Sequence, residues 1–270
     1  MSTVGKALEL LELFTPARGQ IGLSDLARLA GLNKATCFRL VSDLCAHGLV
    51  EQIAASRDYR LGPALLRLAA LREALVPTRT AALPVLQALA DATGETAHLS
   101  ILEGGSLRSL ARAYSAAHAT RVTLEDVSIL PFHATASGLA VLAFQDEAAR
   151  AAVLAAPLPR LTPQTETDPA TLRQRLEAVR RAGIASGTGG FDAEVESLAV
   201  PLFDALGRCS GGLAVAAMAS RMTPAQQALI RAELIRAGRA ITTLWGGTPP
   251  AAVSLAWQAA DRPHLEGIPR

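Results

Sequence analysis

The sequence predicts an α+β protein with two parts, a small N-terminal helical part that ends in two short strands and a larger part that mixes strands and helices. Three observations carry this prediction. Apolar residues recur at helical spacing before residue 48, two short strand-like segments follow up to Gly62, and longer apolar segments alternate with helical patterns beyond it. The length of 270 residues is sufficient for two domains with packed cores.

Three helices are predicted before residue 48. The first is amphipathic and ends before Pro16. The second follows Ser24, which we expect to be its N-cap, and it ends at Gly31. The third begins after a second cap residue, Asn33. The residues that this third helix is expected to bury are Phe38, Val41, Leu44 and Cys45.

The second and third helices have the spacing of a helix-turn-helix motif. Such a motif needs a small residue where the helices cross, here Ala27, and a glycine in the turn, here Gly31. Two strands, at residues 50–53 and 58–61, follow at the place of a wing and surround a polar turn. Residues 1–62 are therefore predicted to form a winged helix-turn-helix domain that binds double-stranded DNA.

The predicted DNA contacts lie at the start of the third helix and at the wing tip. Lys34, Thr36 and Arg39 are positioned to meet phosphates or base edges in the major groove, and Arg57 suits a backbone or minor-groove contact. Charge supports this interpretation only weakly, because residues 1–62 hold seven basic side chains against six acidic ones. One such domain would bind weakly, so we expect paired domains and at least a dimer.

A linker helix and a larger second domain are predicted after the wing. The linker covers residues 63–76 and has the apolar stripe Leu65, Leu68, Leu71 and Leu75. Residues 77–247 combine helices with apolar strands, as in sensor-like α+β or α/β domains. Residues 248–270 are rich in proline and unpatterned, and we expect a flexible tail there.

Composition disfavours a secreted or membrane protein. The three cysteines, Cys37, Cys45 and Cys209, have no paired spacing, which indicates a reducing compartment without a disulfide framework. The N-terminal segment is not typical of a signal peptide, and no apolar stretch approaches the roughly 20 residues of a membrane span. We therefore expect a cytoplasmic protein without a membrane partner.

Catalytic, metal and cofactor sites are not predicted either. His133 and Ser137 lie one helical turn apart, but a nucleophilic serine also needs an orienting carboxylate and an oxyanion hole. The segment around Ser137 also lacks the first glycine of a nucleophile elbow. The histidines and Cys209 have no metal-ligand spacing, and no phosphate-binding loop is present. The expectation is a protein that is not an enzyme and has no cofactor.

Several segments, in order along nearly the whole chain, resemble the isocitrate lyase regulator (IclR) family of bacterial transcription regulators. These segments are Val4–Leu11, Gly31–Leu40, Tyr59–Gly62, Leu130–Gly138 and Ser197–Asp204. The resemblance implies a linker helix, a GAF-like effector-binding domain and a homodimer or tetramer. It also implies sequence-specific regulation of a catabolic operon under the control of a small organic acid.

The resemblance also places the effector pocket. By position, its residues are Ala119, Ala136, Ser137, Gly187, Val195, Ser197, Ala214 and Ala216. Members that bind small keto acids tend to carry hydroxyls where this chain has Ala214 and Ala216, so we expect a more apolar pocket. A larger or more apolar effector, such as an aromatic acid, would suit it. The chain departs from the family at Glu194, which stands where a glycine is usual, two positions after Asp192.

Two alternatives stay open at the level of sequence. One is a regulator without any ligand. The other is a small-molecule-binding or catalytic protein whose winged domain contacts protein instead of DNA. A gel shift with DNA from upstream of the gene distinguishes the second alternative from a DNA-binding regulator, because binding to operator DNA weakens steeply with salt. Repression and activation both fit the sequence.

Overall fold

The computed structural model describes residues 2–15, 17–75, 77–118, 122 and 129–260. The chain divides into two compact units, Met1–Pro77 and Thr78–Arg270. Each unit has hydrophobic core residues of its own. In the described ranges, no helix combines the length and the apolar character that are needed to cross a membrane.

The N-terminal unit packs helices against a two-stranded antiparallel sheet. Its elements are α1 (Thr3–Glu12), α2 (Leu23–Leu29), α3 (Lys34–Ala46), β1 (Val50–Gln52), β2 (Tyr59–Leu61) and α4 (Ala64–Leu75). Leu10, Leu26, Leu40, Val50 and Tyr59 meet in one core that joins α1, α2, α3 and the sheet. The predicted winged helix-turn-helix fold is confirmed.

The turn between α2 and α3 is fixed by backbone geometry and by a cap. Gly31 has a φ of +64°, which an L side chain rarely adopts, and the next amide, Leu32 N, donates to Ala27 O at 2.9 Å. Asn33 caps α3 as predicted, because its side-chain oxygen accepts from Thr36 N at 2.8 Å. The predicted N-cap of α2 is wrong, since Gly22 occupies that position and Ser24 lies inside the helix.

One burial prediction in the N-terminal unit is also wrong. Phe38 is 54% exposed, because the buried face of α3 is set by Cys37, Leu40, Val41 and Leu44. Helix α4 lies within the segment predicted as the linker helix, and none of its described residues is buried within the chain. Its leucine stripe is therefore apolar surface and not core.

The second unit is built on a six-stranded antiparallel sheet in the order β5-β4-β3-β8-β7-β6. The strands are β3 (Thr96–Glu103), β4 (Ser106–Ala113), β5 (Ile129–Leu130), β6 (Ala185–Thr188), β7 (Val195–Phe203) and β8 (Cys209–Met218). The helices are α5 (Thr78–Thr93), α6 (Ala136–Leu142), α7 (Glu147–Ala155), α8 (Pro169–Ala182), α9 (Pro224–Leu244) and α10 (Ala251–Ala260). Core residues on one side of the sheet come from α5 and α9, and those on the other side come from α6, α7 and α8. The predicted α+β class is confirmed.

A buried ion pair joins the start of β3 to the turn after β8. The Arg221 guanidinium donates to both carboxylate oxygens of Glu95, at 2.6 Å and 2.7 Å, and the Glu95 side chain is only 2% exposed. The carboxylate raises the pKa of Arg221 above its already high ordinary value. The pair fixes the ends of the two strands that lie at the centre of the sheet.

The C-terminal segment differs most from its prediction. Residues 251–260, expected to be part of a flexible tail, form α10, which packs on α8. Trp257 is fully buried, and its indole N–H donates to Gly183 O at 2.8 Å. The sequence did not predict this helix, because proline-rich segments flank it and its apolar pattern is short. Residues 261–270 of the predicted tail lie outside the described residues.

Candidate functional site

The N-terminal unit presents one exposed face of α3. Lys34 and Arg39 are exposed on it and Thr36 is half-buried, with its amide bound to the cap of the helix. Phe38, which the sequence assigned to the core, lies exposed between these residues along the helix. The face therefore combines two cations with one large apolar ring. The periodicity of α3 could have shown this, since Phe38 lies one turn after Lys34.

Arg57 lies at the tip of the turn between β1 and β2. Its φ of +63° makes it the non-glycine residue with a positive φ among those described. Its carbonyl oxygen accepts from the Gln52 side chain at 2.8 Å, which holds the turn. The neighbouring Arg60 is paired with Glu51 across the strands at 2.5 Å, so its charge is partly neutralised. Arg57 is the exposed cation of the wing tip.

The second unit contains a cavity with about 590 Å³ of empty space, part of which opens to solvent. Seven of the residues that the sequence placed in the pocket line it. They are Ala136, Ser137, Gly187, Val195, Ser197, Ala214 and Ala216. The eighth, Ala119, lies outside the described residues.

Two cross-strand rows of the sheet make the floor of this cavity. Ala214 of β8 pairs with His98 of β3 on one side and with Ala199 of β7 on the other. One step along, Ala216 lies between Thr96 and Ser197. Residues paired in this way share a face of the sheet. The floor is therefore two small alanines, with His98 lining one flank and Ser197 the other.

One wall comes from the start of α6 and from β6. A Cβ atom added to Gly187 would lie 3.2 Å from Ala136 N and 3.2 Å from Ser197 Oγ. The missing side chain thus leaves a small recess that an amide nitrogen and a hydroxyl both border. No described residue accepts a hydrogen bond from the Ser137 or Ser197 hydroxyl. These groups are available to a ligand.

A loop before α8 supports the lining segment that follows β6. Thr162 and Thr165 each donate a side-chain hydrogen bond, at 2.6 Å, to the carbonyl oxygens of Gly189 and Gly190. Gly190 lies so close to the segment before α6 that an added Cβ would be 2.9 Å from Ala134 O. This segment continues to Asp192, the acidic residue that the family resemblance singles out. The threonine hydrogen bonds fix it on one side, and the contact with Ala134 fixes it on the other.

His98 is the buried ionisable side chain that lines the cavity and that sequence reasoning did not place there. It is 5% exposed, and neither of its ring nitrogens has a hydrogen-bond partner among the described residues. Burial, and then the charge of Arg112 on the neighbouring strand, lower the pKa of His98 to about 4. The imidazole is therefore neutral at pH 7. Its signal in the sequence is a histidine that alternates with apolar residues along β3.

The low pKa of His98 predicts a stability change with pH. Between about pH 6.5 and about pH 4 the unfolded chain binds a proton that the folded chain does not, so acidification lowers the free energy of unfolding. The contribution of His98 is complete above its unfolded pKa. We expect unfolding by denaturant to show a loss from pH 7 to pH 4.5 that is about 2 kcal/mol larger in the wild type than in His98→Leu. Equal losses in the two proteins would contradict a neutral buried imidazole.

Family profiles match both units. The helix-turn-helix domain of IclR matches residues 3–54, and the C-terminal domain of the bacterial transcriptional regulator IclR matches residues 74–243. Among named relatives, the glycerol operon regulatory protein of Streptomyces griseus is 31% identical over 224 residues, which are 83% of this chain and 87% of that protein.

Solved structures agree with the profiles. A crystal structure of an IclR transcriptional regulator from Silicibacter sp. TM1040 is 54% identical, has a TM-score of 0.82, and spans 93% of this chain and 99% of that one. An IclR homologue from Microbacterium hydrocarbonoxydans, complexed with 4-hydroxybenzoate, is 29% identical with a TM-score of 0.56, over 90% of this chain and 99% of that one. The chain belongs to the IclR family of helix-turn-helix transcription regulators.

Proposed function

We propose that this protein binds an operator sequence-specifically and regulates a catabolic operon, and that a small organic acid, such as an aromatic acid, controls this binding. The cavity in the second unit supports the proposal most, because seven residues predicted for the effector pocket line it together. The relative that regulates a glycerol operon and the homologue complexed with 4-hydroxybenzoate support the catabolic role and the acid. Such a regulator acts in the cytoplasm, and it needs neither catalysis nor a cofactor.

The chemistry of the cavity favours an acid with a substantial apolar part. Ala214 and Ala216 give a flat floor without hydrogen-bonding groups, so an apolar surface of the ligand is buried favourably there. The free hydroxyls of Ser137 and Ser197 lie at the wall, where a carboxylate would find donors. A very small keto acid would leave most of this apolar surface without contact.

The exposed face of α3 is proposed to enter the major groove. Lys34 and Thr36 would contact phosphates or base edges, and Arg39 would read a guanine or bind a phosphate. Phe38 adds an apolar contact of the kind made with thymine methyl groups. Arg57 at the wing tip would bind the DNA backbone or the minor groove.

Replacing Arg39 with alanine is expected to weaken operator binding by about 1–3 kcal/mol if the side chain reads a base. The loss should be much smaller on unrelated DNA, because a base contact contributes to specificity and a phosphate contact does not. Gel shifts at several salt concentrations measure both affinities. Arg236→Ala is the matched control, since that exposed arginine lies in the second unit. Unchanged operator affinity in Arg39→Ala would remove Arg39 from the interface.

The apolar surface of α4 is proposed to pair with a second copy of the chain. Leu68, Leu71 and Leu75, which follow one another at helical spacing, are 45%, 52% and 72% exposed. Contiguous exposed leucines on a helix are typical of interaction sites. Two copies would also present two recognition helices, which offsets the weak binding of one domain. We therefore propose a homodimer or a tetramer.

Light scattering on the full chain tests this pairing. The wild type is expected to have the mass of a dimer or tetramer, and the double variant Leu71→Asp, Leu75→Asp to have a lower mass and a weaker affinity for the operator. Leu206→Asp is the control, because Leu206 is 57% exposed in a turn of the second unit. A monomeric wild type would contradict the proposal.

The proposed function as a whole is tested by gel shift with DNA from upstream of the gene, with and without aromatic and aliphatic acids. We expect retention of the operator at low salt, a steep loss of affinity with salt, and a change in affinity with at least one acid. Absence of specific retention at any salt concentration would overturn the DNA-binding role. Thermal stabilisation by glyoxylate-sized acids alone would overturn the aromatic effector.

A further inference from the structure

The floor of the cavity carries one polar side chain without a partner in the described part of the chain, His98 of β3, on the flank that lies across β8 from the strand of Ser197. Neither ring nitrogen of His98 has a partner among the described residues, and Thr96 Oγ1, two residues earlier on the same face of β3, is also buried without one. Leaving such groups unsatisfied costs about 1–3 kcal/mol each. Two adjacent orphaned groups beside a cavity indicate that something else satisfies them.

The spacing of the strands fixes how far this end is from the serine end. His98 and Thr96 belong to β3, the alanine floor belongs to β8, and Ser197 belongs to β7, so two strand spacings separate the polar flanks. That separation is about 10 Å between backbones, and the side chains that reach inward shorten it. His98 and Ser197 stand in neighbouring cross-strand rows, so the two polar side chains lie diagonally across the alanine floor.

The two polar ends differ in chemistry. The serine end offers two hydroxyls and an amide nitrogen next to the recess at Gly187, which are donors suited to a carboxylate. The other end offers an imidazole that is kept neutral by burial and by Arg112. A neutral imidazole pairs well with a hydroxyl, whereas a second carboxylate there would be buried without a charged partner that lines the cavity.

We propose that His98 is a specificity residue that hydrogen-bonds a hydroxyl at the far end of a planar monocarboxylic acid, whose ring lies on Ala214 and Ala216 and whose carboxylate meets Ser137 and Ser197. This inference rests on the proposed effector role of the cavity and names the class of acid: a hydroxylated aromatic monoacid. A site built to pair a ligand hydroxyl discriminates against the analogue that lacks it, because the polar atom of the site is then left unpaired.

Isothermal titration calorimetry of the full chain with three acids measures the affinities that test the inference. The probes are the tighter-binding of 3-hydroxybenzoate and 4-hydroxybenzoate, benzoate, which lacks the hydroxyl, and terephthalate, which carries a second carboxylate instead. The wild type is expected to prefer the hydroxy acid to benzoate by about tenfold. Terephthalate is expected to bind more weakly than benzoate.

Three variants identify the residue that reads the hydroxyl. His98→Leu should bind the hydroxy acid and benzoate within about twofold of one another. His98→Asn keeps a donor and an acceptor and should retain a preference, which also covers the case in which the leucine variant does not fold. Ser100→Ala is the matched control, because Ser100 is on the same strand and buried, but its hydroxyl donates to Gly212 O at 3.0 Å and does not line the cavity.

The outcomes separate the inference from the proposed function. Equal binding of benzoate and the hydroxy acid by the wild type, or a preference that survives in His98→Leu, overturns the role of His98 and leaves an aromatic effector in place. Tight binding of terephthalate overturns it too, since that end would then read an anion. Failure of all three acids to bind the wild type would overturn the aromatic effector itself.

Discussion

Trp257→Ala is expected to lower the free energy of unfolding of the second unit by about 3–5 kcal/mol. The indole is fully buried between α8 and α9, donates to Gly183 O at 2.8 Å, and lies with its ring centroid 5.8 Å from the Arg239 guanidinium. Removal leaves a cavity and an unsatisfied carbonyl oxygen. Gly183 has a φ of +66°, and a Cβ there would be 2.7 Å from the indole nitrogen, so the two residues are fitted to each other.

Denaturant unfolding of the full chain followed by circular dichroism measures this loss. Leu255→Ala is the matched control, because Leu255 lies on the same helix but is 65% exposed, and its change should stay within about 0.5 kcal/mol. The affinity for an aromatic acid should fall as well, since β6, which carries Gly187, begins two residues after Gly183. A stability change in Trp257→Ala no larger than in the control would show that α10 is dispensable.

Ala216→Phe is expected to weaken acid binding at least about a hundredfold, because the benzyl group occupies the floor on which the ligand would lie. Ala216 is 5% exposed and lines the cavity, so the new ring should enter the cavity at a cost of about 1–3 kcal/mol. Operator binding in the absence of acid should be unchanged, because the substitution leaves the N-terminal unit untouched.

The measurement compares gel shifts of both proteins with increasing acid. The variant should keep its affinity for the operator and lose the response to acid. Ala148→Phe is the control for the added ring, since Ala148 is exposed on α7 and does not line the cavity. A variant that still responds to the acid at wild-type concentrations would place the effector elsewhere.

Local chemistry made several elements predictable. Asp168 followed by a proline marks the start of α8. Its carboxylate accepts from Thr171 Oγ1 at 2.7 Å and from Thr171 N at 2.8 Å, and these two bonds, the side-chain one most, lower the pKa of Asp168. Asn33 and Gly31 marked the boundaries of α3 and α2 in the same way. These signals are short-range, so the sequence around each residue is sufficient.

Elements that depend on distant partners were not predictable. The N-cap of α2 moves to Gly22 because Ile21 pairs with Tyr59 through hydrogen bonds of 3.0 Å and 2.9 Å, which set where the helix can begin. Strand β6 has the sequence Ala-Ser-Gly-Thr, with little strand propensity, and forms because it pairs with β7.

The residues of the candidate site also divide into predictable and unpredictable ones. The pocket residues were predicted from the resemblance to a family, because a family resemblance carries three-dimensional information that hydrophobic periodicity lacks. His98 was not placed there, because alternation along β3 shows that it shares a face with Thr96 but not which layer covers that face. The exposure of Phe38 was missed since an apolar residue at helical spacing is usually buried.

The central pair of the sheet has a consequence for synthesis. Ser100 of β3 donates to Gly212 O of β8, which lies 112 residues later in the chain, so the cavity floor does not exist until the last strand has left the ribosome. The helix-turn-helix closes through local contacts, which form much faster. During translation, therefore, a DNA-binding unit is complete while the part that would regulate it is still unfolded. A nascent chain would therefore carry a folded helix-turn-helix before its cavity exists.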